Sequence, residues 1–327
     1  MDSDIKIFAG SSGKEFAERM CQYLGINLGK TEVNKFSDGN TYVRIADHVR
    51  DEEVYLVLPL GLDPNNEFVE LIFWMDAFKR SGARYVTAIV PYFSYAKGDK
   101  KDESRVSIRA RVCAECIELA GADRVITMDL HAAQIQGFFK KPVDHLFAAP
   151  LLAKYLKTIL SDNTIVVSPD AGFAKNARKF AVKLGVDFAV GDKSRSAHDE
   201  NAEIMQMIGD VSGKDAVIID DFILSGGTII ETAKILKKRG AKSIIACLSH
   251  IPLSEKGVEA IKKSDISLVV STDSINNPRV KKSDKIKIIS VAPLFAEVVK
   301  RMHNRESISQ LFDNIPEEVF IAAIRDM

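Results

Sequence analysis

Short apolar runs alternate with amphipathic stretches along nearly the whole chain. Ile5–Phe8, Val54–Leu58, Tyr85–Val90, Arg124–Met128, Ile165–Ser168, Val217–Ile219, Ile244–Leu248, Leu268–Ser271 and Ile288–Val291 have the length and composition of strands. Helical period falls between them: from about Glu15, over Glu67–Arg80, Ile108–Leu119, Leu151–Leu160, Ala174–Leu184 and Pro293–Asn304, with a second amphipathic piece in the tail. On Glu67–Arg80 the pattern puts Phe68, Leu71, Ile72 and Met75 on the buried face, with Trp74 beside it. Thr41–Ile45 alternates as a strand should, and Phe36-Ser37-Asp38-Gly39-Asn40 before it supplies hairpin turn chemistry. Pro142–Pro150 reads as a crossover.

A three-residue punctuation mark recurs where helix gives way to strand: Gly82-Ala83-Arg84, Gly121-Ala122-Asp123 and Gly240-Ala241-Lys242. Each glycine is placed to end a helix at positive φ. Strands that alternate with helices in both halves imply an α/β protein of two domains, each a mainly parallel sheet with helices on both faces. The predicted boundary lies near Ala148, giving domains of 1–147 and 148–327.

Composition narrows the function classes. The chain has 327 residues, ample for two cores, and 45 basic residues cancel 45 acidic ones. That balance gives no reason to expect bulk binding to nucleic acid or membrane. No apolar run reaches membrane-spanning length, the start lacks a signal-peptide pattern, and a cytoplasmic location is expected. Cys113 and Cys116 form a CxxC, but helical spacing puts both on one face and no second ligand pair is near; they read as core thiols.

The most informative chemistry lies in Ala216–Ile230. A buried strand runs into Asp220 and Asp221, then Ser225-Gly226-Gly227-Thr228 opens a helix. Ligands in open α/β sheets bind at strand carboxyl ends. Backbone N–H groups at a glycine-rich helix start favour an anion, and paired carboxylates can hold hydroxyls. Together they suit a phosphorylated sugar. Other strand ends are also polar: Asp129 and His131 after one, Asp170 after another, and a basic, aromatic segment from Pro91 to Lys101 containing Lys97 and Asp99. Asp192-Lys193-Ser194-Arg195 opens a polar stretch with no apolar anchor before Ile204, as a closing lid would.

In these pieces the chain resembles the ribose-phosphate pyrophosphokinase family. The resemblance runs from Phe36-Ser37-Asp38-Gly39 to Ser307-Ile308-Ser309-Gln310-Leu311-Phe312, and includes Pro91–Ala96, Asp129–Ala132, Gln134–Phe139 and Val167–Gly172. It implies two phosphoribosyltransferase-like domains, ATP on the first and ribose 5-phosphate on the second. The activity implied is Mg2+-dependent transfer of the β,γ-diphosphoryl group of ATP to the C1 hydroxyl, giving AMP, in a homo-oligomer, commonly a hexamer. By resemblance Phe36, Asp38, Asn40, Lys97, Asp99 and His131 meet ATP, with the hairpin reaching a neighbouring subunit's adenine. Asp220, Asp221 and Ser225, Gly226, Gly227, Thr228 meet ribose 5-phosphate; His131 and Asp170 associate with Mg2+; Lys193 and Arg195 are the catalytic cations. The chain departs from the family pattern at Leu224, Lys97-Gly98, Asn40, Val106 and Phe173. Two other readings remain: a catalytically silent homologue that regulates a true synthetase, and a phosphoribosyltransferase, which would not account for the N-terminal half.

Overall fold

The computed structural model describes residues 5–195 and 203–325, with backbone alone at 192–195 and 203–206. The chain divides into two compact units. The first takes residues up to Phe147, then Asp273–Asn276 and Ser290–Ala323; the second takes Ala148–Thr272 and Asn277–Ile289. The return of the C-terminal segment to the first unit departs from a single cut near Ala148.

In the first unit, β1 (Ile5–Ala9) leads into α1 (Lys14–Leu24) and then a separate hairpin of β2 (Thr31–Lys35) and β3 (Thr41–Ile45). β4 (Glu53–Val57), α2 (Pro64–Arg80), β5 (Tyr85–Val90), α3 (Arg109–Ala120), β6 (Arg124–Met128) and β7 (Val143–Leu146) follow. The sheet order is β1-β4-β5-β6-β7, and every pair is parallel. β7 corrects the expected crossover over Pro142–Pro150. Its four residues include Asp144 and His145, which break the apolar run that marks an interior strand, and it lies at the sheet's edge.

The second unit runs α4 (Ala149–Leu156), β8 (Thr164–Ser168), α5 (Ala174–Leu184), β9 (Asp187–Arg195), β10 (Glu203–Ile208), β11 (Asp215–Phe222), α6 (Gly227–Lys238), β12 (Ser243–His250), α7 (Glu255–Lys263), β13 (Leu268–Thr272) and β14 (Ile286–Ile289). Its sheet has the order β10-β9-β8-β11-β12-β13-β14, parallel except where β9 and β10 pair antiparallel. The chain then closes with α8 (Ala292–His303) and α9 (Glu317–Ile324). α8 is buried from Ala292 to Val299 and packs on α1, with Phe16 and Phe295 edge to face at 5.3 Å. A helix so apolar on every side needs a large surface to cover it, and α1 and its neighbours provide that.

The three punctuating glycines all have positive φ: 82° at Gly82, 123° at Gly121 and 84° at Gly240. The buried face of α2 is rotated from the apolar stripe. Trp74 is fully buried at its centre, Glu67 and Glu70 are buried, and Phe68 and Ile72 are only half-buried. Each acid has a partner that repays its burial. Glu70 accepts hydrogen bonds from the Ser11 backbone N–H (2.8 Å), the Ser11 hydroxyl and the Trp74 indole (3.0 Å). Glu67 accepts from the Gly61 N–H at 2.6 Å.

Candidate active site

In the second unit the carboxyl ends of β8 and β11 carry three carboxylates. The parallel register matches Ile218 with Val167. Carried on past the ladder, it brings Asp221 level with Asp170. Asp220 Oδ1 accepts from the Asp221 N–H, and Asp221 Oδ1 from the Phe222 N–H, both at 2.9 Å. These local bonds fix both carboxylates at the strand end. Burial, then the Asp221 charge, push the Asp220 carboxyl well above the usual carboxylate range, and the Asp170 charge adds to the shift. Asp170 Oδ1 caps the turn into α5 by accepting from the Phe173 N–H at 3.0 Å.

Just beyond, Gly226 has φ 88° and leads into α6 at Gly227 with no side-chain cap. A Cβ on Gly226 would strain that backbone and sit 3.3 Å from Ile230. Ser225, Gly227 and Thr228 are exposed, so the start of α6 is open to an incoming group. Here the structure joins six of the predicted sugar-phosphate residues in one continuous segment. Leu224 beside them is 49% exposed.

Lys193 and Arg195 lie on β9, in the antiparallel pair with β10, where Lys193 is opposite Met205 and Arg195 opposite Glu203. The predicted polar stretch thus begins as a strand. Both side chains, and residues 196–202, lie outside the described residues.

In the first unit, Phe36, Asp38 and Asn40 are all exposed at the tip of the β2–β3 hairpin. Asp38 Oδ1 accepts from the Asn40 N–H at 2.9 Å, and the Phe36 ring, 55% exposed, lies 6.1 Å from that of Tyr42. Lys97 and Asp99 flank Gly98 at a short 3-10 helix, Ser94–Gly98, after β5. Gly98 is buried, and a Cβ there would lie 2.8 Å from Arg109 Nε and 2.9 Å from Arg109 Cβ. The Arg109 side chain therefore takes the space that a side chain at position 98 would need. His131 is exposed after β6, three residues past Met128. Asp129, two residues earlier, holds φ 41°, a left-handed conformation costly for a residue with a Cβ.

His131 belongs to the first unit and Asp170 to the second. Among the described residues no group of three or more His, Cys, Asp or Glu is placed to hold a metal ion. With only Oδ1 of Asp170 engaged among described residues, its other oxygen is a hard donor of the type that Mg2+ accepts. Cys113 is buried, and burial lifts its thiol to about 12, as befits a core residue. No described helix is long and apolar enough to cross a membrane. Sequence reasoning missed the buried Glu67 and Glu70 and the histidine of β7; only a polar residue breaking an apolar period could have flagged them.

Comparison with known proteins agrees with this layout. Residues 5–121 match the family model described as the N-terminal domain of ribose phosphate pyrophosphokinase, and residues 195–313 match the phosphoribosyl synthetase-associated domain. A ribose-phosphate pyrophosphokinase of Caldanaerobacter subterraneus is 46% identical over 311 residues, covering 95% of this chain and 98% of that one. One from Helicobacter hepaticus is also 46% identical, over 308 residues, covering 94% and 99%. The crystal structure of phosphoribosylpyrophosphate synthetase from Mycobacterium smegmatis superposes with a TM-score of 0.88 at 33% identity, covering 93% of this chain and all of that one. With relatives this similar over nearly its full length, and with two mainly parallel sheets of the same architecture, the chain belongs to the ribose-phosphate pyrophosphokinase family.

Proposed function

We infer that this enzyme transfers the β,γ-diphosphoryl group of ATP to ribose 5-phosphate, with the sugar phosphate on the second unit and ATP on the first. The observation that carries the reading is the junction of β11 and α6. Asp220 and Asp221 face ring hydroxyls there, while the N–H groups of Gly227 and Thr228, with the Ser225 and Thr228 hydroxyls, take the 5-phosphate, the long 3.5 Å bond from the Gly227 N–H to Ser225 Oγ giving way to it. The C1 hydroxyl attacks the β-phosphorus in line. A C1–O–Pβ link forms, the bond from Pβ to the α-phosphate's bridging oxygen breaks, AMP leaves, and the hydroxyl proton is lost to solvent.

This chain's residues align and neutralise; little covalent work falls to them. Lys193 and Arg195 cover the charge growing toward AMP, and losing either cation should raise the barrier by about 3 kcal/mol. Lys97, Asp99 and His131 hold the nucleotide in the first unit. Phe36, Asp38 and Asn40, exposed at a hairpin tip, reach the adenine of a neighbouring subunit in a cytoplasmic homo-oligomer, a hexamer by family habit. Mg2+ supplies Lewis-acid neutralisation of the phosphates when bound. By family resemblance His131 of the first unit and Asp170 of the second are the residues associated with it, each a donor within its own unit.

Calorimetry with ribose 5-phosphate tests the carrying observation. Wild type should bind it, and G226V should weaken that binding at least tenfold while leaving ATP binding unchanged. Equal ribose 5-phosphate affinity in the two proteins would remove the β11–α6 junction as its site.

A further inference from the structure

His145 has no part in the roles above, yet it touches the segment that carries His131. It lies on β7 and is 6% exposed. Its Nε2 accepts a hydrogen bond from the Leu130 backbone N–H at 2.9 Å. An Nε2 that accepts carries no proton, so the imidazole keeps its hydrogen on Nδ1. Gln136 Nε2, which donates to the Ala133 carbonyl at 2.9 Å, lies 3.3 Å from Nδ1 as a packing contact and not a hydrogen bond, and the ring lies 4.6 Å from Phe147. The imidazole is thus confined on two sides and aimed at one backbone N–H.

That N–H sits at a demanding point of the chain. β6 ends at Met128, Asp129 turns through φ 41°, Leu130 goes inward at 9% exposure, and His131 emerges into solvent. A non-glycine residue keeps such a φ only where its surroundings over-determine it. Here β7 does so with two consecutive hydrogen bonds. The Asp129 N–H donates to the Leu146 carbonyl at 3.0 Å, and the Leu130 N–H donates to His145. The first bond extends the β6–β7 ladder. The second replaces a backbone acceptor with a side chain, which lets the chain leave the sheet without stranding a buried donor.

We propose that His145 is a positioning residue for the diphosphoryl transfer: its imidazole clamps Leu130 and so sets where the neighbouring His131 meets ATP. The role rests on the reading of His131 as an ATP-side residue. It acts on nucleotide alignment and leaves ribose 5-phosphate binding alone, since that site belongs to the second unit.

The test compares two polar replacements of similar burial cost. In H145Q the side-chain oxygen reaches the place of Nε2; in H145N it falls one methylene short. H145Q should keep kcat within threefold of wild type. H145N should lower kcat at least tenfold, raise KM for ATP, and leave KM for ribose 5-phosphate within twofold. Equal kinetics for the two variants, or a KM change confined to ribose 5-phosphate, would overturn the role. Backbone amide exchange of the wild-type protein supplies a readout independent of variant folding. The Leu130 amide should be protected, and exchange at the rate of an open loop overturns the clamp. A wild type that makes no AMP refutes the proposed function and takes this role with it. An active wild type with indistinguishable variants refutes the role alone.

Discussion

Asp220 holds a half-buried carboxyl beside a second carboxylate, an arrangement that favours binding at a cost in stability. Its folded pKa is raised above the unfolded one. The contribution to stability is therefore full below the ordinary carboxyl range and is lost as pH rises toward the raised value. D220N, neutral throughout, should melt about 2–4 °C higher than wild type at pH 8, with the gap closing near pH 4. Turnover should fall at least 100-fold. A melting point at pH 8 that is unchanged or lower would contradict this electrostatic account. Gly98 is the opposite case, a residue chosen for its lack of a side chain. G98Q should lose about 1–3 kcal/mol of unfolding free energy through overpacking against Arg109, measured by urea denaturation. R109A should return most of that loss in the double variant; additive losses would show that the two positions do not compete for space. In the sequence the acids at 220 and 221 were legible, because a strand, two carboxylates and a glycine-rich helix start are contiguous. Arg109 was not, since nothing local ties it to a glycine eleven residues earlier.

Two helices that follow interior strands, α2 after β4 and α6 after β11, handle their N-termini differently. At α6 the start is open and uncapped, as an incoming anion requires. At α2 the Glu67 carboxylate turns back to the Gly61 N–H, in the loop just before the helix, so an anion of the chain's own occupies the space ahead of the helix start. Burial nonetheless raises the Glu67 pKa, with the backbone N–H bonds opposing the shift. E67A should cost about 1–3 kcal/mol by leaving a partly buried donor unmatched, and the loss should appear in urea denaturation. An unaltered midpoint would show that water replaces the carboxylate without penalty. Periodicity located α2 well, yet put Phe68 and Ile72 on its buried face. Hydrogen bonds from Ser11, Trp74 and Gly61 let Glu67 and Glu70 go inside; Ser11 lies 59 residues from Glu70, and the helical period does not show the bonds that Trp74 and Gly61 make. The same lack of local signal hid β7, whose Asp144 and His145 are polar for reasons lying in its neighbours: Asp144 pairs with Arg124 at 2.6 Å and His145 holds Leu130.

At the scale of the whole molecule, the chain leaves the second unit at Asp273, returns to it at Asn277, and leaves again at Ser290. Asp273, partly buried, ties these passages within the first unit. Its carboxylate accepts from the Ser290 hydroxyl at 2.5 Å and the Val291 N–H at 2.7 Å, with Arg19 3.3 Å away. D273A should destabilise the chain by about 2 kcal/mol, because it leaves the Ser290 hydroxyl and the Val291 N–H without their acceptor. A smaller loss in denaturant titration would mean that the packing of α8 on α1 suffices alone. The alternation of strand and helix made two α/β units legible, but the return of residues 290–323 to the first unit was not. An apolar helix tells that it will be buried, without telling where. The proposal that both units serve one reaction is tested most directly by 31P NMR of the purified protein with ribose 5-phosphate, ATP and Mg2+. The account predicts AMP and a sugar-bound diphosphate appearing in equal amounts. A spectrum with no AMP, or with ADP and a singly phosphorylated product instead, would contradict it.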